Sequence, residues 1–360
     1  MDKIIYDNIA FSLQKFGGIS AYWFELLSRL SKDERFDLQV VNGKNIGNIY
    51  TKLLDIDPSR CIQTKPQPAI IDRFTPVKLK YESEKFIFHS SYFRYTKNTS
   101  AYNIITMFDL IHHKFYFGPR KLVHNLQESK GVKKSDAIIS ISENTKKDLL
   151  HYYPYLNPAD IHVIYLGAST SFFKITDSDY SYITPAEHLN KRYLLFVSSR
   201  EPYKNFNFAV DVLSKLDDFE LYIVGAPLTQ AESEMVNAKI GRRWKVFTGI
   251  STAQLNELYN HAYSLIYPSS YEGFGIPLLE AMSTFCPFIA INASSIPEVA
   301  GDAGILLDEL NVNDGITAIL QIDNQREKLI IRGQKQVSKF SWDKCYNETA
   351  LLYQNIFNKS

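Results

Sequence analysis

The 360-residue sequence lacks most of the features that mark secreted, membrane-spanning or nucleic-acid-binding proteins. Its three cysteines, Cys61, Cys286 and Cys345, are too scattered for a metal pair or a disulfide set, so we expect a reducing compartment. The net charge of +1 gives no general reason to expect nucleic acid as a partner. No uninterrupted apolar run approaches ~20 residues, and MDKIIYDNIAFSL lacks a signal peptide's long apolar core. We therefore predict a folded cytoplasmic protein.

The sequence alternates between short strand-like runs and stretches with helical spacing. KIIYD, KFIFHSS, YNIITMF, DAIISIS and IHVIYLG predict strands in the first half, and RYLLFVSS, FELYIVG, WKVFTG, YSLIYPS and PFIAIN predict strands in the second. Strands rich in Ile, Val and Tyr that alternate with helices predict parallel sheets built of βαβ units. We predict an α/β protein with two doubly wound domains, residues 1–185 and 186–342, and a last helix, 343–360, that packs back on the first domain.

The stretch SSYEGFGIPLLEAMS follows a predicted strand and opens a predicted helix, the place where parallel sheets bind ligands. Gly273 and Gly275 would present backbone N–H groups there, and Pro277 is tolerated in the first turn of a helix. Glu272 could accept hydrogen bonds from sugar hydroxyls, and Glu280, about one and a half turns into the helix, could reach a ribose diol. The alternative is that the glycines only turn the chain and the acids are a cap and a solvated face.

The longer stretch PSSYEGFGIPLLEAMSTFCPFIAINASSIPEVAGDAGILLD resembles the donor-binding signature of the family 4 glycosyltransferases. These are retaining enzymes of the GT-B fold, in which two Rossmann-like domains face each other across a cleft. The resemblance covers most of the C-terminal half and implies that Glu272 contacts the transferred sugar and Glu280 the nucleotide ribose. The backbone expected against the sugar and the diphosphate is that of Gly273, Phe274, Gly275 and Ile276.

A second piece, FVSSREPYKNF, places two cations in the loop after the first strand of domain two. A leaving nucleoside diphosphate gains negative charge as the sugar bond breaks, so Arg200 and Lys204 would stabilise the transition state more than the ground state. The resemblance implies that they form the phosphate clamp. Two solvated surface charges are the alternative.

Two glycine-containing loops resemble the family more loosely. In QKFGGISAYWFELL, Gly17 and Gly18 follow the first strand and open a helix without forming the G-x-G-x-x-G dinucleotide fingerprint. The resemblance implies that they face the donor diphosphate, although a simple turn explains them equally well. In FTGIST, the resemblance implies that Gly249 and Ile250 line the nucleobase.

The stretch NIITMFDLIHHKF departs from the family pattern. Relatives often carry a His-Asp pair after this strand, whereas here Phe108 precedes Asp109. Asp109 is still a predicted site residue, and His112 or His113 could take the place of the missing histidine. His112 is favoured, and an ordinary loop histidine is the alternative.

The resemblance implies a retaining, metal-independent and cofactor-free transfer of a sugar from a nucleotide diphosphate sugar to a glycan or lipid-linked glycan, as in bacterial O-antigen or capsule assembly. The basic and aromatic stretch 112–134 could meet an anionic bilayer, at the inner face of the cytoplasmic membrane, or be a solvated helix face. Rival classes are a non-catalytic GT-B binding subunit, a nucleotide-sugar epimerase and a nicotinamide-dependent dehydrogenase; the last is disfavoured by the missing fingerprint.

Overall fold

The computed structural model describes residues 1–15, 17–43, 46–63, 69–79, 84–176 and 192–358. It divides into two compact units, an N-terminal unit of Met1–Gly167 with Trp342–Ser360 and a C-terminal unit of Ala168–Ser341. The predicted boundary at 185/186 lies outside the described residues, and the observed division precedes it. Residues before position 185 already belong to the C-terminal unit, because the backbone N–H groups of Phe173 and Ile175 donate to the side chains of Asn256 and Asn260 in that unit.

The N-terminal unit is built on a sheet of seven strands that all pair in parallel, in the order β3-β2-β1-β4-β5-β6-β7. The strands are β1 Asp2–Asp7, β2 Phe36–Asn42, β3 Cys61–Gln63, β4 Phe86–Ser90, β5 Ala101–Met107, β6 Ala137–Ser140 and β7 Ile161–Val163. Its helices are α1 Ala10–Leu13, α2 Gly18–Leu30, α3 Ala69–Asp72, α4 Ile111–Phe115, α5 Pro119–Lys134, α6 Glu143–Tyr152 and, from the end of the chain, α13 Trp342–Asn358.

The C-terminal unit repeats this architecture with six parallel strands in the order β10-β9-β8-β11-β12-β13. The strands are β8 Tyr193–Val197, β9 Glu220–Val224, β10 Trp244–Phe247, β11 Ser264–Tyr267, β12 Phe288–Ile291 and β13 Ile305–Leu307. The helices are α7 Phe206–Leu213, α8 Gln230–Ile240, α9 Thr252–His261, α10 Ile276–Ser283, α11 Ile296–Ala300 and α12 Val312–Val337. No helix in the parts of the chain described above is both long and apolar enough to cross a membrane.

The predicted fold class is confirmed, since both units are α/β and their sheets are parallel. All ten predicted strands are present, with ends that differ by a few residues. The prediction missed β2, β3 and β13. Two of these have only three residues, too few to show a period, and in β2 Asp37 and Gln39 interrupt the apolar run.

A chain of buried hydrogen bonds holds α13 in the N-terminal unit. The Tyr353 hydroxyl lies 2.5 Å from the Tyr6 hydroxyl on β1 and 2.6 Å from Nδ1 of His89 on β4. His89 Nε2 lies 3.0 Å from the hydroxyl of Thr106 on β5, which in turn lies 3.1 Å from the hydroxyl of Tyr22 on α2. Burial lowers the pKa of His89 to about 3, so the side chains of this hydrogen-bond network are uncharged at neutral pH.

Removing the Tyr353 hydroxyl should destabilise the N-terminal unit. Tyr353→Phe leaves two buried groups short of a partner, which costs about 1–3 kcal/mol, whereas Tyr155→Phe at a hydroxyl on a largely exposed ring should change stability by less than about 0.5 kcal/mol. Urea unfolding would be followed by fluorescence in a Trp244→Phe background, because the two remaining tryptophans, Trp23 and Trp342, both belong to this unit. Equal midpoints for the two tyrosine variants would contradict the anchoring role.

Candidate active site

The C-terminal unit has one position where the strand order reverses. The chain builds outward from β8 to β9 and β10 on one side and from β11 to β12 and β13 on the other. In open parallel sheets the loops at the carboxyl ends of such a pair diverge and leave a crevice. Arg200 and Lys204 lie in the loop after β8, and Glu272 lies in the loop after β11, so both predicted groups flank this crevice.

The backbone at the start of α10 is set by glycine and proline. Gly275 is the N-cap residue and has φ 111°, a left-handed value that side chains other than hydrogen rarely allow. Pro277 occupies the first turn, where its missing N–H is not needed. Gly275 has no side chain that could cap this helix, Pro277 has no N–H, and the Leu278 N–H donates to the Gly275 carbonyl oxygen at 3.0 Å. The N–H of Ile276, the first residue of the helix, can meet an anionic or hydroxylated ligand.

Lys204 and Glu272 are brought together in a close ion pair. Lys204 Nζ donates to Glu272 Oε1 at 2.6 Å, and each side chain is only 12% exposed. The pair is therefore little screened by solvent, and removal of one partner would leave a largely buried charge. The structure thus joins the residue predicted to bind phosphate to the residue predicted to bind the sugar.

Arg200 points to a different carboxylate. Its Nε donates to Glu232 Oε1 at 2.8 Å, and its two terminal nitrogens donate to the carbonyl oxygens of Ala226 and Pro227. Glu232 also caps α8 through Thr229, and the Arg200 guanidinium holds the pKa of Glu232 below its usual range. Arg200 is therefore rigidly held beside the loop after β9.

Glu280 is partly buried and has an unusual protonation equilibrium. The Tyr259 hydroxyl of α9 donates to Glu280 Oε2 at 2.8 Å. Burial nevertheless raises the pKa of Glu280 to about 7, although the Tyr259 bond acts in the opposite direction. Burial is the largest cause of the raised pKa of the Tyr267 phenol, and the nearby carboxylates of Glu272 and Glu280 raise this pKa further. The two acids therefore both lie close to Tyr267.

The glycine-containing loop is braced by residues that the sequence analysis did not identify. Ser294 and Ser295 each donate to the Glu272 carbonyl oxygen, at 2.6 and 3.0 Å, and Ser295 also donates to the Phe274 carbonyl oxygen at 2.9 Å. The amide of Asn205, which has a left-handed φ of 53°, donates to the Pro268 carbonyl oxygen and to the Ser270 hydroxyl. The sequence NASSIPEV contains two adjacent serines but does not show which loop they contact.

The remaining donor-loop residues lie where the strand order requires. Gly273 and Phe274 belong to the loop after β11, and Phe274 is buried against Phe340. Ile276 is the first residue of α10. Gly249 has φ 61° and, with Ile250, forms the loop after β10, two strands away from β8 in the same sheet. Their roles toward a nucleotide stay predictions.

In the N-terminal unit, Gly17 and Gly18 open α2 as expected. Gly17 is the N-cap residue with φ 152°, a backbone conformation that residues with a Cβ rarely adopt, and a Cβ there would displace the end of the Gln14 side chain. At Gly18 a Cβ would meet no described atom within 4 Å, so that position borders open space. Their loop follows β1, beside the order reversal between β1 and β4.

Asp109 and His112 follow β5 in the N-terminal unit. Asp109 Oδ1 accepts a hydrogen bond from the Ile111 N–H at 3.0 Å at the start of α4. The His112 ring stacks on His124 at 3.7 Å between centroids and lies against Tyr116, and burial lowers its pKa. Phe108, in place of the family histidine, packs edge-on against Tyr22. None of these contacts tests a catalytic role.

The neighbouring His113 has a defined structural partner. Its Nε2 lies 2.7 Å from Oε1 of the fully buried Glu128, which also accepts from the Tyr153 hydroxyl at 2.7 Å. The bond to Glu128 places a proton on Nε2 and fixes the ring. His113 is therefore held in the interior, whereas His112 has no such bond among the contacts described.

The described residues contain no cluster of three or more histidine, cysteine or acidic side chains that could hold a metal ion. The sequence does contain two Asp-x-Asp pairs. Asp57 of the first, Asp55–Asp57, accepts from the Ser59 N–H at a short 3-10 helix, and the second, Asp177–Asp179, lies outside the described residues.

The C-terminal unit, which contains this site, is similar to a known protein family. Residues 184–336, which include β8 to α12, match the family described as glycosyl transferases group 1. O-antigen chain mannosyltransferase B of Escherichia coli is 26% identical over an alignment that covers 94% of this chain and 96% of the relative.

Solved structures share the whole architecture. Sucrose-phosphate synthase from Thermosynechococcus elongatus superposes with a TM-score of 0.74 over 100% of both chains at 17% identity. The Anabaena protein HepE, solved in complex with UDP-glucose, gives 0.72 over 98% of this chain and 99% of its own at 14% identity. The two parallel-sheet units match the architecture of these structures, and the family match includes the loop after β11. The chain therefore has the GT-B fold, and its residues 184–336 are similar to the glycosyl transferases of group 1.

Proposed function

We propose that the protein transfers a sugar from a nucleotide diphosphate sugar to a glycan or lipid-linked glycan during assembly of a bacterial surface polysaccharide such as an O-antigen. The observation that carries the proposal is the Lys204–Glu272 pair, which lies with Glu280 at the order reversal of the C-terminal sheet. The mannosyltransferase name of the Escherichia coli relative and the UDP-glucose bound to the Anabaena neighbour support the substrate class.

The cations would neutralise the leaving group. Lys204 has three N–H donors and uses one of them on Glu272, so it can bind a phosphate oxygen without releasing that carboxylate. Arg200, held by Glu232, is preorganised and loses little conformational freedom on binding. Both would act without a metal ion.

The two acids would read different parts of the donor. Glu272 sits in the loop with one oxygen on Lys204 and would accept hydrogen bonds from hydroxyls of the sugar. Glu280, oriented by Tyr259, would accept from the ribose diol, and Gly249 with Ile250 would lie against the base. The N–H groups of Gly273, Phe274, Gly275 and Ile276 would meet the sugar and diphosphate. The role of Gly17 and Gly18 toward the donor stays a prediction from the resemblance.

Retention would follow a front-face course. The bond from the anomeric carbon to the phosphate oxygen breaks, the acceptor oxygen bonds to the same face, and the acceptor proton moves to the departing phosphate oxygen. This course needs no nucleophile from the protein. Asp109 and His112 would then orient the acceptor hydroxyl, and a His112 kept neutral by burial can accept a hydrogen bond from it.

A lipid-linked acceptor would bring the protein to the inner face of the cytoplasmic membrane. Helix α5 buries its polar residues Gln127 and Glu128 and exposes Leu122, Val123 and Leu126. Phe117, just before the helix, is 83% exposed, and the charge of Lys121 lies 5.5 Å from its ring. An apolar strip edged by lysines matches an anionic bilayer surface.

The first test is turnover. A panel of UDP- and GDP-sugars is incubated with the protein in EDTA, and free nucleoside diphosphate is measured. We expect release from one donor class, and replacement of Lys204 with Ala should lower kcat by about 10²–10³-fold, the effect of losing one oxyanion-type donor. Because this variant leaves Glu272 buried without its partner, Lys204→Ala/Glu272→Gln serves as the stability control. Release that requires added Mg²⁺ or Mn²⁺ would refute the metal-free reaction.

The second test separates Glu280 from Glu272 by pH. With a pKa of about 7, Glu280 is mostly protonated at pH 6 and mostly ionised at pH 8, so nucleoside diphosphate should bind about three- to tenfold more tightly at pH 8. Glu280→Gln should remove the part of this dependence that does not come from the phosphate itself. Glu272→Gln should keep it and lose affinity only for the complete nucleotide sugar.

Calorimetry with both ligands at both pH values makes this comparison. Circular dichroism checks that the variants are folded. Equal losses of nucleoside diphosphate affinity in the two variants would end the proposed division of roles.

The third test concerns the bilayer. We expect binding to vesicles containing phosphatidylglycerol and none to neutral phosphatidylcholine vesicles. Leu122→Ser/Leu126→Ser should weaken binding at least about tenfold, since burying each leucine contributes on the order of 1.5–3 kcal/mol. Leu320→Ser, at a similarly exposed leucine on α12, is the matched control. Sedimentation with vesicles measures both, and equal binding by all three proteins would remove α5 from the proposal.

A further inference from the structure

The N-terminal unit contains a cavity that none of the roles above uses. Its volume is about 260 Å³, and it lies at the carboxyl ends of β1 and β2, beside Cys61 at the start of β3. Its walls include the amides of Asn8 and Asn42, the hydroxyls of Ser12 and Thr51, the ring of Phe11 and the thiol of Cys61. Pockets for drug-sized ligands measure about 300–1,000 Å³, so this one suits a single small group.

Asn8 gives the cavity an unmet hydrogen-bonding capacity. The residue is only 5% exposed, and its Nδ2 donates to Asn42 Oδ1 at 2.9 Å. Its Oδ1 is fully buried and receives no hydrogen bond from any residue that the structure describes. Buried side-chain acceptors are normally satisfied by protein or by ordered water, so this oxygen is an unfilled hydrogen-bonding position in the wall of the cavity.

The chemistry of the walls selects the kind of molecule. The described wall residues include no Lys, Arg, Asp or Glu, so these residues offer a phosphate no counter-charge. Amides and hydroxyls match the hydroxyl groups of a sugar, and Phe11 with the aliphatic Leu54 and Ile56 matches the C–H face of a pyranose ring.

The position of the cavity relates it to the acceptor. Phe11 and Ser12 belong to α1, which lies in the same β1–α2 connection as Gly17 and Gly18. A sugar ring held here would lie beside the loop of Gly17 and Gly18, for which the resemblance implies a role toward the donor. We propose that this cavity binds one neutral hexose residue of the acceptor glycan, an inference that rests on the proposed function.

Cys61 makes the cavity directly measurable. It is partly exposed, whereas Cys286 and Cys345 are buried, so iodoacetamide should alkylate Cys61 first. We expect at least one of methyl α-D-mannopyranoside, methyl α-D-glucopyranoside and methyl α-D-galactopyranoside to slow this alkylation, about tenfold at ten times its dissociation constant. The rate is read by mass spectrometry of the Cys61 peptide, with glycine betaine at equal concentration as the control solute.

Filling the cavity provides an independent check. Saturation-transfer NMR should show the protecting glycoside bound to the native protein and to Cys61→Ala, and at least fivefold weaker binding to Cys61→Leu. Binding of UDP or GDP to the three proteins should be equal, which also shows that they are folded.

The outcomes distinguish this proposal from the proposed function. Absence of protection by all three glycosides, or protection by UDP or GDP instead, would overturn the acceptor subsite while leaving donor turnover untouched. Protection without any donor turnover would support a sugar-binding cavity and refute only the transferase chemistry on which its acceptor role rests.

Discussion

The Lys204–Glu272 ion pair connects the two loops that make up the candidate site. Lys204 follows β8 and Glu272 follows β11, and these strands are neighbours only because the sheet is built outward from β8 in both directions. A largely buried ion pair has to recover the cost of desolvating both charges, so it is weak evidence for stability. Here its value is geometric, since it fixes a cation and a carboxylate 2.6 Å apart at the mouth of the crevice.

Glu280 shows how the fold accepts a cost at the same place. A carboxyl group ordinarily titrates near 4.5, and burial moves the pKa of Glu280 to about 7. The folded state therefore binds this proton more tightly than the unfolded chain does, and the contribution to stability declines as pH rises from about 4.5 to 7. The loss is on the order of 2–3 kcal/mol. A residue that only supported the fold would gain from being glutamine, which is consistent with selection for a ligand.

Much of this arrangement was predictable from local sequence. Strand-rich runs between helical stretches gave both sheets, and the glycines with Pro277 located the start of α10 because backbone geometry at these residue types is restrictive. The bracing by Asn205, Tyr259 and Ser295 was not predictable, since it depends on which loops become neighbours. The partners of Arg200 were missed for the same reason, as Glu232 is 32 positions away.

Helix α5 shows where composition alone misleads. The sequence showed the stretch 112–134 only as basic and aromatic, whereas the structure buries Glu128 beneath His113 and Tyr153 and turns Leu122 and Leu126 outward. A carboxylate buried with two hydrogen-bond donors determines which side of the helix faces inward, and this fixes the leucines on the other side. The apolar strip is therefore a consequence of the interior polar cluster. Glu128 and Tyr153, which hold His113 in place, therefore also determine which leucines of α5 are exposed to a bilayer or another partner.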